Sequence, residues 1–126
     1  LNDCPDLGPV LFVLAAMAEG TTHICHAGRL RIKESDRISA MEEELRRVGV
    51  QITSDEDNVW IQGNPQGYVC HELLHSHNDH RVVMALSVMA LCSHSVCTIA
   101  DAEAIRKSYP SFFSDVAAIH GKVEYR

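Results

Sequence analysis

Residues 33–49 read K-E-S-D-R-I-S-A-M-E-E-E-L-R-R-V-G and predict one complete amphipathic helix. Apolar residues recur at the spacing of one helical face: Ile38, Met41, Leu45 and Val48. This periodicity predicts a helix from residue 35 to residue 48. Glutamate–arginine pairs four residues apart support the opposite, solvated face. Gly49 follows the last apolar residue and is typical of a helix end.

Cations lie where this helix and two others are predicted to begin. They are Lys33 and Arg37, then Arg81, then Arg106 and Lys107. A helix N-terminus carries partial positive charge and normally favours Asp or Glu. Its free N–H groups bind phosphate or carboxylate, and Arg or Lys reinforces such a site. The placement therefore predicts a site for a small anion. The alternative is a set of solvated charges that neutralise one another, with Arg81 paired to Asp79 or Glu34.

Composition excludes several classes of function. The 126 residues are 46% hydrophobic and 22% charged, as expected for one domain with a core. A net charge of -6 argues against a nucleic-acid binder, and the apolar runs are too short to cross a membrane. Five cysteines without a C-x-x-C pair indicate reduced thiols, so we expect a cytoplasmic protein. Because the sequence starts at Leu1 without Met, we expect a piece of a longer chain.

The remaining patterns predict alternating helices and strands. Asp6 is expected to cap a helix over residues 7–19, and Asp79 a helix reaching residue 92. A further helix is predicted over residues 110–120. Strands are predicted over residues 21–26, 50–53, 58–62, 70–74, 95–99 and 122–125, the second and third as a hairpin.

This order repeats along the chain. Asp6 and Asp79 are 73 positions apart, Lys33 and Lys107 are 74 apart, and Gly49 and Gly121 are 72 apart. Such a period predicts duplication of one supersecondary unit, approximately residues 1–67 and 68–126. We expect an α+β fold of repeated βαβαββ-type units with helices packed on mixed sheets, one unit nearly complete and one partial.

Four histidines within ten positions also permit a metal site: His71, His75, His77 and His80. A solvated loop is the favoured interpretation, because neither H-E-x-x-H nor a cysteine pair is present. We therefore predict no metal and no cofactor. G-x-S-x-G, P-loop and G-x-G-x-x-G motifs are absent as well.

Five motifs resemble the 5-enolpyruvylshikimate-3-phosphate synthase family, also called 3-phosphoshikimate 1-carboxyvinyltransferases. They are Pro5-Asp6, R-I-K-E-S-D-R at 31–37, N-D-H-R at 78–81, K-S-Y-P at 107–110, and Phe112-Phe113. The likeness covers nearly the whole chain but roughly the last third of a family member. The related UDP-N-acetylglucosamine enolpyruvyl transferases are a weaker match.

The resemblance implies transfer of the enolpyruvyl group of phosphoenolpyruvate to the 5-hydroxyl of shikimate 3-phosphate, with release of phosphate. It makes Asp6 a shikimate 3-phosphate contact and proton acceptor, Lys33 a contact to both substrates, and Glu34 the proton donor. It makes Arg37, Arg81 and Lys107 the phosphoenolpyruvate-binding cations. Some family members carry Asn where this chain has Arg29, so no role follows for Arg29.

The resemblance also implies a partner, the N-terminal lobe of the same polypeptide, which holds the other half of the pocket. The chain alone is therefore expected to be inactive. A truncated unit leaves a sheet edge or helix face uncovered, so self-association of the piece is expected. The rival interpretation is a non-catalytic module whose charged helix starts bind an acidic partner.

Overall fold

The computed structural model describes residues 5–33, 35–70, 72–93, 96–107 and 109–118. Four α-helices occur there: α1 (Gly8–Met17), α2 (Arg37–Val48), α3 (His80–Cys92) and α4 (Phe112–Ala118). Five strands occur with them: β1 (Thr21–Ile24), β2 (Gln51–Ser54), β3 (Val59–Gln62), β4 (Leu73–His75) and β5 (Thr98–Ala100). Short 3₁₀ helices cover Pro5–Leu7, Gly28–Ile32 and Ala102–Lys107.

The first sheet is antiparallel, in the order β1-β3-β2. Ile61 on the central strand pairs with Thr22 on one side and Ile52 on the other. Val59 and Ile61 are buried while Trp60 and Gln62 are exposed, so one face covers the core and the other faces solvent. The predicted β2–β3 hairpin is confirmed. Its turn is fixed by Asp55, whose Oδ1 accepts from the backbone N–H groups of Asp57 and Asn58.

The second sheet is a parallel pair in which Leu74 of β4 lies opposite Ile99 of β5. The predicted α+β class is confirmed. In the described residues, the pairing within the first sheet is all antiparallel and that within the second is parallel, so the two types of pairing occur in separate sheets. Helix α3 makes the β4-to-β5 crossover, as a parallel pair requires.

The helices pack over a shared core, with α1 against α3 and α2 between the hairpin and α3. Large side chains fill it, among them Phe12, Leu30, Met41, Leu45 and Leu86. The helix predicted over 35–48 begins at Arg37, because Asp36 is extended and its Oδ1 accepts from the Ser39 N–H. It ends as expected at Gly49, whose φ of 106° places it in the left-handed region.

Several expected boundaries shift, and one cap is wrong. The residue before α1 is Leu7, which has no capping side chain, and Asp6 lies in the preceding 3₁₀ turn. Its carboxylate bonds to Arg37 instead, because a charged donor outcompetes a backbone amide. The strand expected over 122–125 lies outside the described residues. The duplication into 1–67 and 68–126 stays a prediction.

Candidate functional site

Three segments distant in sequence meet in one ionic cluster, formed by Asp6, Arg37, Asp79 and Arg81. Arg37 donates from Nε to Asp79 Oδ2 at 2.9 Å and from Nη2 to Oδ1 at 3.2 Å. It also donates from Nη1 to Asp6 Oδ1 at 3.1 Å. Arg81 places Nη2 3.7 Å from Asp6 Oδ2. One carboxylate, that of Asp6, is thus shared by two guanidinium groups.

Helix starts hold these side chains. Arg37 is the first residue of α2. Asp79 is the N-cap of α3, and its Oδ1 accepts from the backbone N–H of Arg81 at 2.9 Å. Asp6 lies in the 3₁₀ turn before α1. Packing of α1, α2 and α3 over one core therefore brings the three starts together.

Burial divides the cluster into an inner and an outer part. The side chains of Arg37 and Asp79 are 1% and 0% exposed. Those of Asp6 and Arg81 are 57% and 36% exposed. Only the outer pair is therefore open to a ligand, while the inner pair sits within the protein and supports it.

Asp79 is held in its ionised form. Burial alone would raise the pKa of Asp79, but hydrogen bonds from Arg37 and Ser35 outweigh burial and lower it. Ser35 Oγ donates to Asp79 Oδ2 at 2.7 Å. With the backbone N–H of Arg81 added, both oxygens of this buried carboxylate are satisfied, as burial of a charge demands.

The outer part retains unused hydrogen-bonding capacity. Within the described residues, Nε of Arg81 is buried without a hydrogen-bond partner, and so is Nδ1 of the neighbouring His80. An unmet buried donor is costly. The exposed part of the Arg81 side chain, which comes no closer than 3.7 Å to the carboxylate of Asp6, can still donate to an anion.

Lys33 follows the 3₁₀ helix Gly28–Ile32 and is exposed. Arg31 fixes this segment: its Nη1 donates to Asp36 Oδ2 at 3.0 Å, and its other nitrogens donate to the carbonyls of Asp55 and Glu56 in the hairpin turn. Gly28 N–H donates to Asp57 Oδ1 at 2.9 Å. The β2–β3 turn therefore supports the segment that presents Lys33.

The structure brings some of the predicted site residues together and does not describe others. Asp6, Arg37 and Arg81 are brought together, and the side chain of Arg81 contacts Asp6. Glu34 lies outside the described residues, as does the side chain of Lys107. Asp79 was expected as a cap or, in the alternative interpretation, as a partner of Arg81. Its buried pair with Arg37 and its hydrogen bond from Ser35 were not expected. An aspartate before a helix gives no sequence signal of a second, buried role.

Of the four histidines that permit a metal site, His71 lies outside the described residues, and the structure places no candidate metal-ligand group at His75 and His80 within the part of the chain that it describes. One group in the described part could hold a cation: ligand atoms of Glu43, Glu44 and His77 lie within 4.8 Å of one another. Arg47 contacts both carboxylates, at 2.9 Å and 3.4 Å. Positive charge is thus already present there, which disfavours a metal ion. That the protein uses no metal or cofactor stays a prediction.

No helix in the described residues is long and apolar enough to cross a membrane.

Comparison with known proteins gives a consistent result. The family model for EPSP synthase (3-phosphoshikimate 1-carboxyvinyltransferase) matches residues 1–116. The 3-phosphoshikimate 1-carboxyvinyltransferase of Methanocella arvoryzae is 48% identical over 120 residues, covering 95% of this chain and 28% of the relative. That of Clostridium acetobutylicum is 47% identical over 123 residues, covering 97% and 28%. The chain thus spans little more than a quarter of these relatives.

Solved structures agree with the sequence relatives. An EPSP synthase from Acinetobacter baumannii superposes with a TM-score of 0.85 at 34% identity, covering 91% of this chain and 27% of that one. The enolpyruvyl transferase NikO from Streptomyces tendae, at 22% identity and a TM-score of 0.71, shows the same fold. The predicted resemblance is confirmed: the chain belongs to the EPSP synthase (3-phosphoshikimate 1-carboxyvinyltransferase) family.

Proposed function

We propose that this chain supplies part of the active site of an enzyme that transfers the enolpyruvyl group of phosphoenolpyruvate to the 5-hydroxyl of shikimate 3-phosphate, releasing phosphate. The observation that carries this proposal is the convergence of Arg37 and Arg81 on Asp6. The reaction needs a base at a hydroxyl and cations around a phosphate and a carboxylate. The outer part of the ionic cluster offers groups of both kinds.

Asp6 is the proposed proton acceptor and shikimate 3-phosphate contact. Its side chain is exposed, and one oxygen is held by the buried Arg37 at 3.1 Å. The contact from Oδ2 to Arg81 is longer, 3.7 Å, so this oxygen is freer to accept a hydroxyl proton. Arg37 therefore orients the base and keeps its negative charge compensated.

Arg81 is the proposed principal cation for phosphoenolpyruvate. Its side chain is 36% exposed and its Nη2 lies 3.7 Å from Asp6, so the terminal nitrogens of the guanidinium can donate to a carboxylate or phosphate. Arg37 is buried and already bonded to Asp6 and Asp79, so its proposed contribution to phosphoenolpyruvate is mainly its charge. The family resemblance adds Lys33 and Lys107 as further cations and Glu34 as the proton donor.

The other lobe of the same polypeptide is the proposed partner. Since the chain spans 28% of its sequence relatives, we propose that the remaining part closes over the substrates and that the chain alone does not turn over. Cytoplasmic location belongs to the same proposal. Self-association of the isolated chain stays a prediction, and light scattering that shows a monodisperse monomer would contradict it.

A chimera tests the function. Residues 1–126 replace the matching 28% of the Methanocella arvoryzae relative, and phosphate release is measured with both substrates. We expect activity that requires both substrates in the chimera and none in the 126-residue chain. Arg81→Gln should lower kcat/KM by about 100-fold or more, through loss of a charge-assisted contact in a partly buried site.

Arg46→Gln is the matched control, because Arg46 is also an exposed helical arginine but pairs with Glu42 on the solvated face of α2. This variant should retain activity. A folded chimera without turnover would contradict the proposed reaction. Turnover with UDP-N-acetylglucosamine in place of shikimate 3-phosphate would favour the related transferase. Binding of an acidic protein without any turnover would favour the interaction module.

A further inference from the structure

Glu44 is a buried charge that the proposed active site does not use. It lies on α2 with 0% of its side chain exposed. Its Oε1 accepts from the backbone N–H of His75 at 2.8 Å, and its Oε2 lies 2.8 Å from His77 Nε2. Buried ion pairs are often no more stabilising than apolar residues of similar size. Stability alone therefore gives little reason for a carboxylate at this position.

Of these two partners, His75 is the last residue of β4 and His77 lies in the loop that joins β4 to α3. Two consecutive residues of this loop, His77 and Asn78, have φ values of 54° and 55°. Side chains with a Cβ rarely adopt this left-handed conformation, so surrounding contacts have to hold it. Within the loop, Ser76 Oγ accepts from the Asn78 N–H at 3.0 Å. From outside the loop, Glu44 binds His77, and the carbonyl of Ala100 in β5 accepts from the Ser76 N–H at 3.2 Å.

The residue that follows is Asp79, which binds Arg37 and caps α3. Helix α2 therefore contacts this loop at two places. Arg37, at the first position, binds Asp79 directly, and Glu44 binds the loop seven residues later. Because seven residues make about two helical turns, both side chains lie on one face of α2. Asp79 ends the loop, whereas Glu44 binds His75 and His77 near its beginning.

We propose that Glu44 is a positioning residue that holds the β4–α3 loop in its left-handed conformation and so sets the positions of Asp79, Arg37 and Arg81. For its effect on turnover this inference rests on the proposed function. The effect on geometry is independent of it. When the carboxylate is removed, His75 loses its acceptor, the loop relaxes, and Asp79 moves away from Arg37.

The test follows the Nε–H of Arg37 by ¹H–¹⁵N NMR in the 126-residue chain, with the resonance assigned from its loss in Arg37→Lys. This proton is buried and bonded to Asp79 Oδ2, so it reports the geometry directly. We expect Glu44→Ala to shift the resonance and to speed its exchange with water at least tenfold. Glu44→Gln retains an acceptor for His75 N–H and an amide that can bond to His77, and it should restore the original resonance.

Glu42→Ala is the control, because Glu42 lies on the same helix but bonds to Arg46 and Ser54. It should leave the Arg37 resonance unchanged even where it lowers Tm. A Glu44→Ala chain with a lower Tm and an unchanged Arg37 resonance would show that Glu44 has a structural role only, and would overturn the proposal. If Glu44→Ala does not fold, His77→Ala decides: a shifted resonance supports the proposal and an unshifted one contradicts it.

The same variants in the chimera separate this inference from the proposed reaction. If the chimera is active, we expect Glu44→Ala to lower kcat/KM about tenfold and Glu44→Gln to restore it. A chimera inactive in its unsubstituted form would refute the proposed reaction and leave the NMR result standing.

Discussion

Arg37 and Asp79 form a buried ion pair, with Nε of the arginine 2.9 Å from Oδ2 of the aspartate. The two residues are 42 positions apart and begin two different helices. The pair therefore fixes the start of α2 against the start of α3. Asp6 joins this pair from a third element and reaches the surface. The same contacts that stabilise the fold thus place an exposed carboxylate beside two arginines.

Replacing only one residue of this buried ion pair should strongly destabilise the fold. Arg37→Met leaves the carboxylate of Asp79 buried without its main partner, and we expect a loss of about 3–5 kcal/mol in the free energy of unfolding. Urea denaturation of the 126-residue chain measures it. Replacing both residues together, as Arg37→Met with Asp79→Leu, should cost less than Arg37→Met alone because no unpaired charge remains.

The exposed pair Arg47–Glu43 provides the comparison, with side chains 32% and 52% exposed. Arg47→Gln and Glu43→Gln are not equivalent controls, since Arg47 also contacts Glu44. Glu43→Gln should change the free energy of unfolding by about 1 kcal/mol or less. Equal losses for Arg37→Met and Glu43→Gln would refute the claim that burial makes the Arg37–Asp79 pair important.

The stability contributed by Asp79 should depend on pH in the acid range. Because Arg37 and Ser35 lower the pKa of Asp79 in the folded chain, folding favours its ionised form. This contribution is fully present above the unfolded pKa of about 3.9 and is lost as the pH falls through the lower folded pKa. We expect the stability advantage over Asp79→Asn to be constant near neutral pH and to shrink below about pH 4. A stability advantage over Asp79→Asn that grows as the pH falls would contradict a lowered pKa of Asp79 in the folded chain.

Gly63 should tolerate no side chain. A Cβ built there would lie 1.7 Å from the Ala18 carbonyl oxygen, and backbone cannot yield as a side chain end can. We expect Gly63→Ala to cost about 3 kcal/mol or more, as overpacking against a rigid element does. Thermal unfolding measures it.

Gly20 is the matched control, because it is hydrogen-bonded to Gly63: its carbonyl accepts from the Gly63 N–H at 2.8 Å. A Cβ at Gly20 meets no atom within 4 Å, although its φ of 84° disfavours Ala. Gly20→Ala should therefore cost only about 1 kcal/mol, the strain of a left-handed backbone. Similar losses of stability at both glycines would show that the backbone conformation, and not the contact with Ala18, sets the cost of the substitution.

Asp36 should contribute both a helix cap and an ion pair. Its carboxylate accepts from the Ser39 N–H at 3.1 Å and from Arg31 Nη1 at 3.0 Å. We expect Asp36→Ala to cost about 1–2 kcal/mol and Asp36→Asn about 0.5 kcal/mol, since Asn still caps but carries no charge. Chemical denaturation distinguishes them. A loss at Asp36→Asn as large as at Asp36→Ala would assign the whole effect to the ion pair.

Local elements follow from the sequence where several local rules agree. The α2 helix has apolar periodicity, an acidic cap and a terminal glycine that all agree, and it forms within two residues of its predicted start. Asp6 shows where such reasoning fails. By its position it should cap α1, but Arg37, 31 residues away in sequence, provides a stronger partner.

Sequence alone determined the helices, the hairpin, the cations Arg37 and Arg81 at two helix starts and the family, because each depends on neighbouring residues or on a motif. The expected third start was wrong, because Arg106 and Lys107 end the 3₁₀ helix Ala102–Lys107 and α4 begins only at Phe112. Tertiary structure decided which cation is buried, which carboxylate is shared and which arginine stays open to a ligand. Those outcomes depend on burial and on distances between elements. A charge in the first turn of a helix has the same sequence pattern whether the core covers it, as it covers Arg37, or leaves it partly exposed, as it leaves Arg81.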